Sequence, residues 1–231
     1  MVTPEKLAGM IDHTNIKPNA TKEDIKKLCN EALNYNFSSA CVTPANVSLA
    51  YEILAETGVN VCAVVGFPFG TNKSEIKAFE ALVAVEDGAV ELDMVLNIGA
   101  IRSSEEALVK RDIEGVVESA DGMIVKVILE TALLNNNEKV RACILSKESG
   151  ADYVKTSTGI GYSGANAHDV ELLRKTVGPD MGVKASGGIR DLKKALEMID
   201  AGASKIGTST GPAIIDDILK KWHHKMIEEI L

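Results

Sequence analysis

The chain has 231 residues and a formal net charge of −8, long enough to bury a sizeable core as one large α/β barrel or as two small domains. No Pro-, Ser- or Gly-rich linker and no block of like charge divides it, so residues 1–231 read as a single catalytic domain. The acidic balance argues against a nucleic-acid surface and against attracting an anionic substrate by global field, so a phosphate must be held locally.

Short apolar runs alternate with amphipathic stretches, placing strand midpoints near residues 12, 41, 63, 93, 126, 155, 184 and 207. Thr21, with Asp24 as its N3 acid, caps a helix over Lys22 to Asn36, and Asn72 precedes another over Lys73 to Asp87. Further helices are expected to begin at Ser103-Ser104, at Asn135 to Asn137, at His168-Asp169 and at Asp191. The stretches Val61 to Val65, Val90 to Leu96, Ile124 to Leu129 and Lys205 to Thr208 are near-continuous apolar runs, as in a parallel sheet covered by helices. Their spacing suits a strand, a turn and a crossover helix repeated eight times. A doubly wound sheet is possible, but a closed (β/α)8 TIM barrel fits the even count and the length better.

Chemistry in such a barrel gathers where the strands end, and polar residues gather there in this sequence. Asp12-His13-Thr14-Asn15, Cys41-Val42-Thr43, Asp93 with Asn97, Glu130-Thr131, Ser157-Thr158, Ser186 and Thr208-Ser209-Thr210 all fall late in predicted strands. Lys155, in Asp152-Tyr153-Val154-Lys155-Thr156-Ser157, is an amine in a strand that reads as buried, where a lysine must be paired or functional. Lys126 and Lys184 repeat the arrangement on the two neighbouring strands, so a barrel would cluster the three amines. A structural pairing with Asp or Glu explains any one of them; all three together suggest carbonyl chemistry. Free lysine titrates near ~10.4, so about one molecule in a few thousand carries the nucleophilic amine at pH 7. Burial and a second ammonium nearby both favour that free form. Spacing alone leaves open which amine attacks and which activates. Asp93, inside an apolar run on the fourth strand, is either a counter-ion or a proton shuttle, and the two roles are compatible.

Gly187-Gly188 and Gly207-Thr208-Ser209 follow the seventh and eighth strands as small, donor-rich turns before helices, where barrels often hold phosphate. Gly66 to Ser74 invites a P-loop reading, but Asn72 stands where the glycine before Lys73-Ser74 is required, and the reading is rejected. His13, His168, His223 and His224 show no metal-ligand spacing, the last two suggesting a solvated basic helix face; no metal and no cofactor is expected. Cys41 is either a reactive thiol or a small buried residue. Cys29, Cys41, Cys62 and Cys143 form no Cys-x-x-Cys pair, the N-terminus carries no apolar signal region, and the run from Val59 to Phe69 is too short to cross a bilayer. The expected setting is the cytoplasm, with no membrane or nucleic-acid partner.

With those residues in view, the chain resembles the 2-deoxyribose-5-phosphate aldolases, a class I aldolase family. The likeness covers essentially the whole length. It rests on Ile11-Asp12-His13-Thr14, Gly66-Phe67-Pro68-Phe69-Gly70, Glu91-Leu92-Asp93-Met94-Val95, Val125-Lys126-Val127-Ile128-Leu129-Glu130-Thr131, Val154 to Gly159, Lys184-Ala185-Ser186-Gly187-Gly188-Ile189-Arg190 and Ile206-Gly207-Thr208-Ser209. It implies a metal-free barrel that reversibly cleaves 2-deoxyribose 5-phosphate to acetaldehyde and glyceraldehyde 3-phosphate, in deoxyribose phosphate catabolism. Lys155 would form the Schiff base, Lys184 would favour its free amine, Asp93 would move protons, and Lys126, Asp12, Thr156 and Gly159 would line the substrate. Gly187, Gly188, Gly207, Thr208 and Ser209 would hold the phosphate. Two departures stand out: Ile160 replaces a lysine that some members carry after Thr-Ser-Thr-Gly, with Arg190 as a substitute, and the chain ends Glu229-Ile230-Leu231 without the tyrosine some members have. A homo-oligomer is expected. The rival readings are another Schiff-base barrel, such as a transaldolase, and a sugar-phosphate-binding barrel without turnover.

Overall fold

A computed structural model describes residues 2–230, with side chains through residue 222. Eight parallel strands close into a barrel in sequence order: β1 (Ile11–Asn15), β2 (Ser39–Val42), β3 (Asn60–Val65), β4 (Glu91–Val95), β5 (Ile124–Ile128), β6 (Tyr153–Lys155), β7 (Gly182–Ser186) and β8 (Lys205–Thr208), the last pairing back to β1. Every predicted strand midpoint falls inside its strand, and the expected (β/α)8 TIM barrel is the fold.

The helices are α1 (Pro4–Ala8), α2 (Lys22–Asn34), α3 (Val47–Leu54), α4 (Ser74–Glu86), α5 (Ile98–Arg102), α6 (Glu106–Ser119), α7 (Asn136–Glu148), α8 (Ala167–Val177), α9 (Leu192–Asp200) and α10 (Gly211–Ile230). Thr21 and Asp24 form the expected capping box, and Asn135 and Asn166 cap α7 and α8 through their side chains, as Asp191 does for α9. Several boundaries differ from expectation; α8 begins at Ala167 and not at His168-Asp169, and α4 ends at Glu86 and not at Asp87. The helix after Thr21 stops at Asn34, because Asn36 turns left-handed with φ 51°. Residue 73 is the cap of α4 rather than its first residue, and α6 starts at Glu106 because the short α5 already occupies residues 98–102. The sequence reading also passed over α1 and α3, whose short runs carry few starting signals.

Strand periodicity divides the sheet into two chemically different faces. Outward residues such as Val61, Ala63, Leu92, Met94, Val125, Val127, Val154, Val183 and Ile206 join the buried apolar layer beneath the helices. Inward positions carry Asp12 on β1, Cys41 on β2, Cys62 on β3, Glu91 and Asp93 on β4, Lys126 on β5, Lys155 on β6, Lys184 on β7 and Lys205 on β8, all buried. The interior of this barrel is therefore ionic, where such barrels ordinarily pack branched apolar residues in layers.

Two buried ion pairs outside the barrel brace the helices. Lys77 of α4 meets Asp112 of α6 at 2.6 Å and donates to Val95 O at 2.8 Å, while Lys139 of α7 meets Asp169 of α8 at 2.6 Å. Among the described residues no helix is long and apolar enough to cross a membrane.

Candidate active site

The site begins with register. Lys155 is the last residue of β6 and pairs directly with Lys184 on β7, and Asp93 on β4 pairs directly with Lys126 on β5. Adjacent inward positions are thereby brought to one point, where Lys155 Nζ and Lys184 Nζ both donate to Asp93 Oδ2 at 2.7 Å. Lys126 Nζ holds the other oxygen, Oδ1, at 2.8 Å. The three lysines and the acid singled out in the sequence thus converge on a single carboxylate.

Asp12 supports this group from β1. Its Oδ2 lies 2.5 Å from Lys184 Nζ, an ion contact without hydrogen-bond alignment, and 3.6 Å from Lys126 Nζ. Lys205, which the sequence reading counted only as part of an apolar run, is a fourth amine of the cluster: it donates to Asp12 Oδ1 at 2.9 Å and meets Glu91 Oε2 at 2.9 Å. Glu91 in turn contacts Lys126 at 2.6 Å. Lys205 opens β8 and does not lie inside it, and so carried a weaker signal than Lys155.

The charge states follow from this packing. Burial alone would raise the carboxyls of Asp93 and Asp12, but Lys126, Lys155 and Lys184 around the first, and Lys184, Lys126 and Lys205 around the second, outweigh it, and both are held well below the ordinary carboxylate range. Burial would likewise lower Lys184, yet Asp12 and Asp93 reverse the effect and hold it as ammonium. Lys126 is likewise held well above the ordinary lysine range, because Asp93 and its other anionic neighbours outweigh the burial that would lower it.

Cys41 and Cys62 sit beside this centre on paired positions of β2 and β3. Their sulfurs and an Asp93 oxygen lie within 4.8 Å of one another, the one metal-compatible group of three among the described residues. The arrangement already has its cation: Cys62 Sγ donates to Asp93 Oδ1 at 3.2 Å, and the Lys126 ammonium lies 3.4 Å from that sulfur. Cys41 is fully buried, as a small core residue would be.

A cavity of about 600 Å³ opens at the C-terminal end of the strands. Lys155 reaches its wall, although only 2% exposed. Gly159, Gly187, Gly188, Arg190, Gly207, Thr208 and Ser209 also line it, so the two glycine turns and the arginine do share one space with the amine. Thr156, Lys126, Asp12, Lys184 and Asp93 lie behind that wall. Thr156 is fully buried, its hydroxyl donating to Ser186 O at 3.2 Å and accepting from Ser186 N at 3.1 Å, which ties β6 to β7 instead of facing the cavity. The Thr208 hydroxyl donates to Ile189 O at 2.7 Å, so that residue presents its backbone. Gly207 makes room for the chemistry: a Cβ there would lie 2.9 Å from Ser186 Cβ and 3.2 Å from Lys184 Cε.

The cavity also contains residues the sequence reading did not select. Lys17 and Lys27 add basic groups on the β1 side, and His13 Nε2 pairs with Glu31 Oε2 at 2.8 Å there. Ile160, where a lysine was missed, lines the cavity as well. Buried behind Thr158, Glu130 adopts a left-handed conformation, φ 51°, and its Oε2 accepts from Thr158 N at 3.1 Å and Thr158 Oγ1 at 2.5 Å, fixing the turn that follows Lys155. The readings of His223, His224 and the C-terminal residues concern side chains outside the described set.

Comparison with known proteins places this arrangement. The sequence profile of the DeoC/LacD family aldolases matches residues 7–216. The chain belongs to that family. It is 60% identical over 215 residues to a deoxyribose-phosphate aldolase of Methanothermobacter thermautotrophicus, covering 93% of this chain and 96% of the relative. It is 56% identical over 211 residues to the enzyme of that name from Enterococcus faecalis, covering 91% and 96%. Among solved structures it matches the deoxyribose phosphate aldolase of Aeropyrum pernix, described as a tetramer, with a TM-score of 0.88 and 39% identity over 94% of this chain and 92% of that one. An orotidine 5'-phosphate decarboxylase of Pyrococcus horikoshii, 17% identical with a TM-score of 0.66, shares the barrel alone. The family places a lyase on this scaffold and accounts for the order of the motifs.

Proposed function

We infer that this protein is a class I aldolase that reversibly cleaves 2-deoxy-D-ribose 5-phosphate to acetaldehyde and D-glyceraldehyde 3-phosphate. The observation that carries the reading is the Lys155 amine at the cavity wall, sharing one Asp93 oxygen with Lys184 at 2.7 Å each. An ammonium on Lys184, held by Asp12 and Asp93, favours the uncharged form of an amine that shares its carboxylate. Lys155 Nζ adds to C1 of the open-chain sugar, and the carbinolamine loses water to give an iminium. Loss of the proton from the C3 hydroxyl then breaks C2–C3, the electron pair passes into the iminium as an enamine, and glyceraldehyde 3-phosphate leaves. Protonation at C2 and hydrolysis release acetaldehyde and restore the amine. Asp93 and Lys184, both behind the wall, serve the proton transfers through a bound water.

Backbone groups of Gly159, Gly187, Gly188, Gly207, Thr208 and Ser209 cradle the phosphate, with Arg190 supplying charge where Ile160 cannot. From beneath, Lys126 keeps Asp93 charged and Asp12 keeps Lys184 charged, and Thr156 holds the β6–β7 seam. Residues 1–231 work as one catalytic domain in a homo-oligomer, in the cytoplasm, in deoxyribose phosphate catabolism, with no nucleic-acid or membrane partner. The relatives' names and the tetrameric Aeropyrum pernix protein support this reading. Mass spectrometry after incubation with 2-deoxyribose 5-phosphate and borohydride tests it. A reduced adduct on Lys155, lost in Lys155→Ala, is expected; an active enzyme with no adduct would refute the covalent mechanism.

A further inference from the structure

Glu91 and Lys205 take no part in the reaction just described, yet both are buried in the barrel and bonded into its charge cluster. Glu91 lies two residues before Asp93 on β4 and faces inward one layer deeper. From Lys205 the contacts run through Glu91, Lys126 and Asp93 to Lys155, and in parallel through Asp12, Lys184 and Asp93 to the same amine. Asn60 donates to Glu91 Oε1 at 2.8 Å and Ser38 Oγ accepts from Lys205 at 2.8 Å, so the floor is closed by neutral groups. The other titratable or charged groups near the cluster are the thiols of Cys41 and Cys62, the buried Glu130, whose bonded oxygen is taken by Thr158 and which makes no ion pair among the described residues, and, across the cavity that Lys155 lines, His13, Lys17, Asp24, Lys27, Glu31 and Arg190, none of which the variants below alter.

Within the contacting cluster four amines, Lys126, Lys155, Lys184 and Lys205, meet three carboxylates, Asp12, Glu91 and Asp93. One positive charge has no match. Lys126 touches all three carboxylates, while Lys184 and Lys205 touch two each. Lys155 touches Asp93 alone, through an oxygen it shares, and stands at the cavity wall where a proton can leave. Releasing that proton balances the cluster.

We propose that Glu91 and Lys205 are positioning residues that fix the charge surplus of the buried cluster and so set the pH range in which Lys155 stands as a free amine. The inference rests on the Schiff-base reading above. Its chemistry balances: the Lys155 ammonium and an aldehyde yield the protonated imine and water, with no change in net charge. The free amine is the balanced intermediate state, and the iminium restores the surplus that the ammonium had.

The test compares the full-length wild type with Glu91→Gln, Lys205→Met and the double variant, measuring the pH profile of kcat/KM for 2-deoxyribose 5-phosphate cleavage. Cyanoborohydride trapping on Lys155 is followed over the same pH range. Glu91→Gln adds to the surplus and is expected to move the acid limb to lower pH; Lys205→Met removes the surplus and is expected to move it to higher pH. Each shift is about one pH unit for a unit charge changed three ion-pair contacts away at Glu91, or four at Lys205, in a poorly solvated site. The double variant restores the count and is expected to return to the wild-type limb. Limbs that stay fixed while kcat falls, or that move together, would overturn the inference, because a purely structural role predicts loss of activity without opposite displacements. If a single variant fails to fold, the double variant decides alone: a wild-type limb supports the charge count and a displaced limb overturns it. No wild-type adduct on Lys155 would refute the Schiff-base reading itself, whereas an adduct with unmoved limbs refutes only the role of Glu91 and Lys205.

Discussion

Replacing Asp93 by Asn should damage stability and catalysis together, and each can be sized from the contacts. Asp93 receives the side-chain amines of three lysines at 2.7 to 2.8 Å and has no solvent exposure. Removing one partner of a buried ion pair typically costs about 3–5 kcal/mol, because the remaining charge is left unmatched. That is a large part of the ~5–15 kcal/mol that holds an ordinary domain. With a urea m value of about 3 kcal/mol/M, the midpoint of Asp93→Asn should fall by about 1–2 M. The pH dependence has a definite sign. Asp93 titrates below its ordinary range in the native state, so its contribution is complete above the unfolded carboxylate range and is lost only as pH falls through the depressed value. Lys126 and Lys184 titrate above the ordinary lysine range, so their share is complete below it and is lost as pH rises through the raised values. The part of the difference carried by Asp93, Lys126 and Lys184 should therefore be flat from about pH 5 to 9 and narrow above about pH 10. Urea unfolding at pH 7, 9 and 10.5 measures it. Cleavage of 2-deoxyribose 5-phosphate should drop by about 10²- to 10⁴-fold, the usual worth of a positioned proton-transfer group. A midpoint within about 0.2 M of wild type at pH 7 would show that the three contacts do not bear on stability.

The remaining predictions concern single groups around this centre. Lys155→Met should abolish cleavage while leaving urea stability within about 1 kcal/mol of wild type, since Lys155 meets one carboxylate oxygen that Lys184 continues to hold; a loss above about 2 kcal/mol would contradict that. Gly207→Ala should cost about 1–3 kcal/mol by thermal unfolding, because its Cβ would lie 2.9 Å from Ser186 Cβ and 3.2 Å from Lys184 Cε, and KM should rise. Unchanged stability and kinetics would show that Lys184 has room to move. Glu130→Gln weakens a charge-assisted contact to Thr158 worth about 1.5–3 kcal/mol, and should reduce the preference for 2-deoxyribose 5-phosphate over unphosphorylated 2-deoxyribose. Equal losses with both substrates would place Glu130 outside substrate recognition.

Much of this site was legible as a sequence because its signals are costly to ignore. A lysine inside a strand demands a partner, and Lys126, Lys155 and Lys184 on successive strands demanded that the strands be neighbours. The even series of apolar runs then required closure, which the pairing of β8 with β1 supplies. Lys205 was hidden by its own setting, at the first position of a short strand where the run reads as apolar overall. Glu91 was quoted only as a neighbour of Asp93, since a carboxylate opening a strand resembles any solvated end residue. Asp12, Lys126 and Thr156 show a different limit: polarity at a strand end signals that a residue belongs to the site, but not whether its side chain meets the cavity or the layer beneath. That distinction depends on barrel register, and a strand's tilt is set by all eight strands at once. The basic groups of Lys17 and Lys27 escaped notice because loop lysines are ordinarily solvated, and only closure brings theirs to the cavity.

The ionic interior of the barrel also constrains how this sequence can drift. In an apolar core a methyl group lost at one position can be recovered at a neighbour, and volume is the conserved quantity. Here the conserved quantity is a sum of signs shared by Asp12, Glu91, Asp93, Lys126, Lys155, Lys184 and Lys205, which sit on six different strands. Lys155 apart, a change at one of them leaves a charge that no nearby rotamer can neutralise, so tolerated substitutions among the other six must come as opposite-signed pairs.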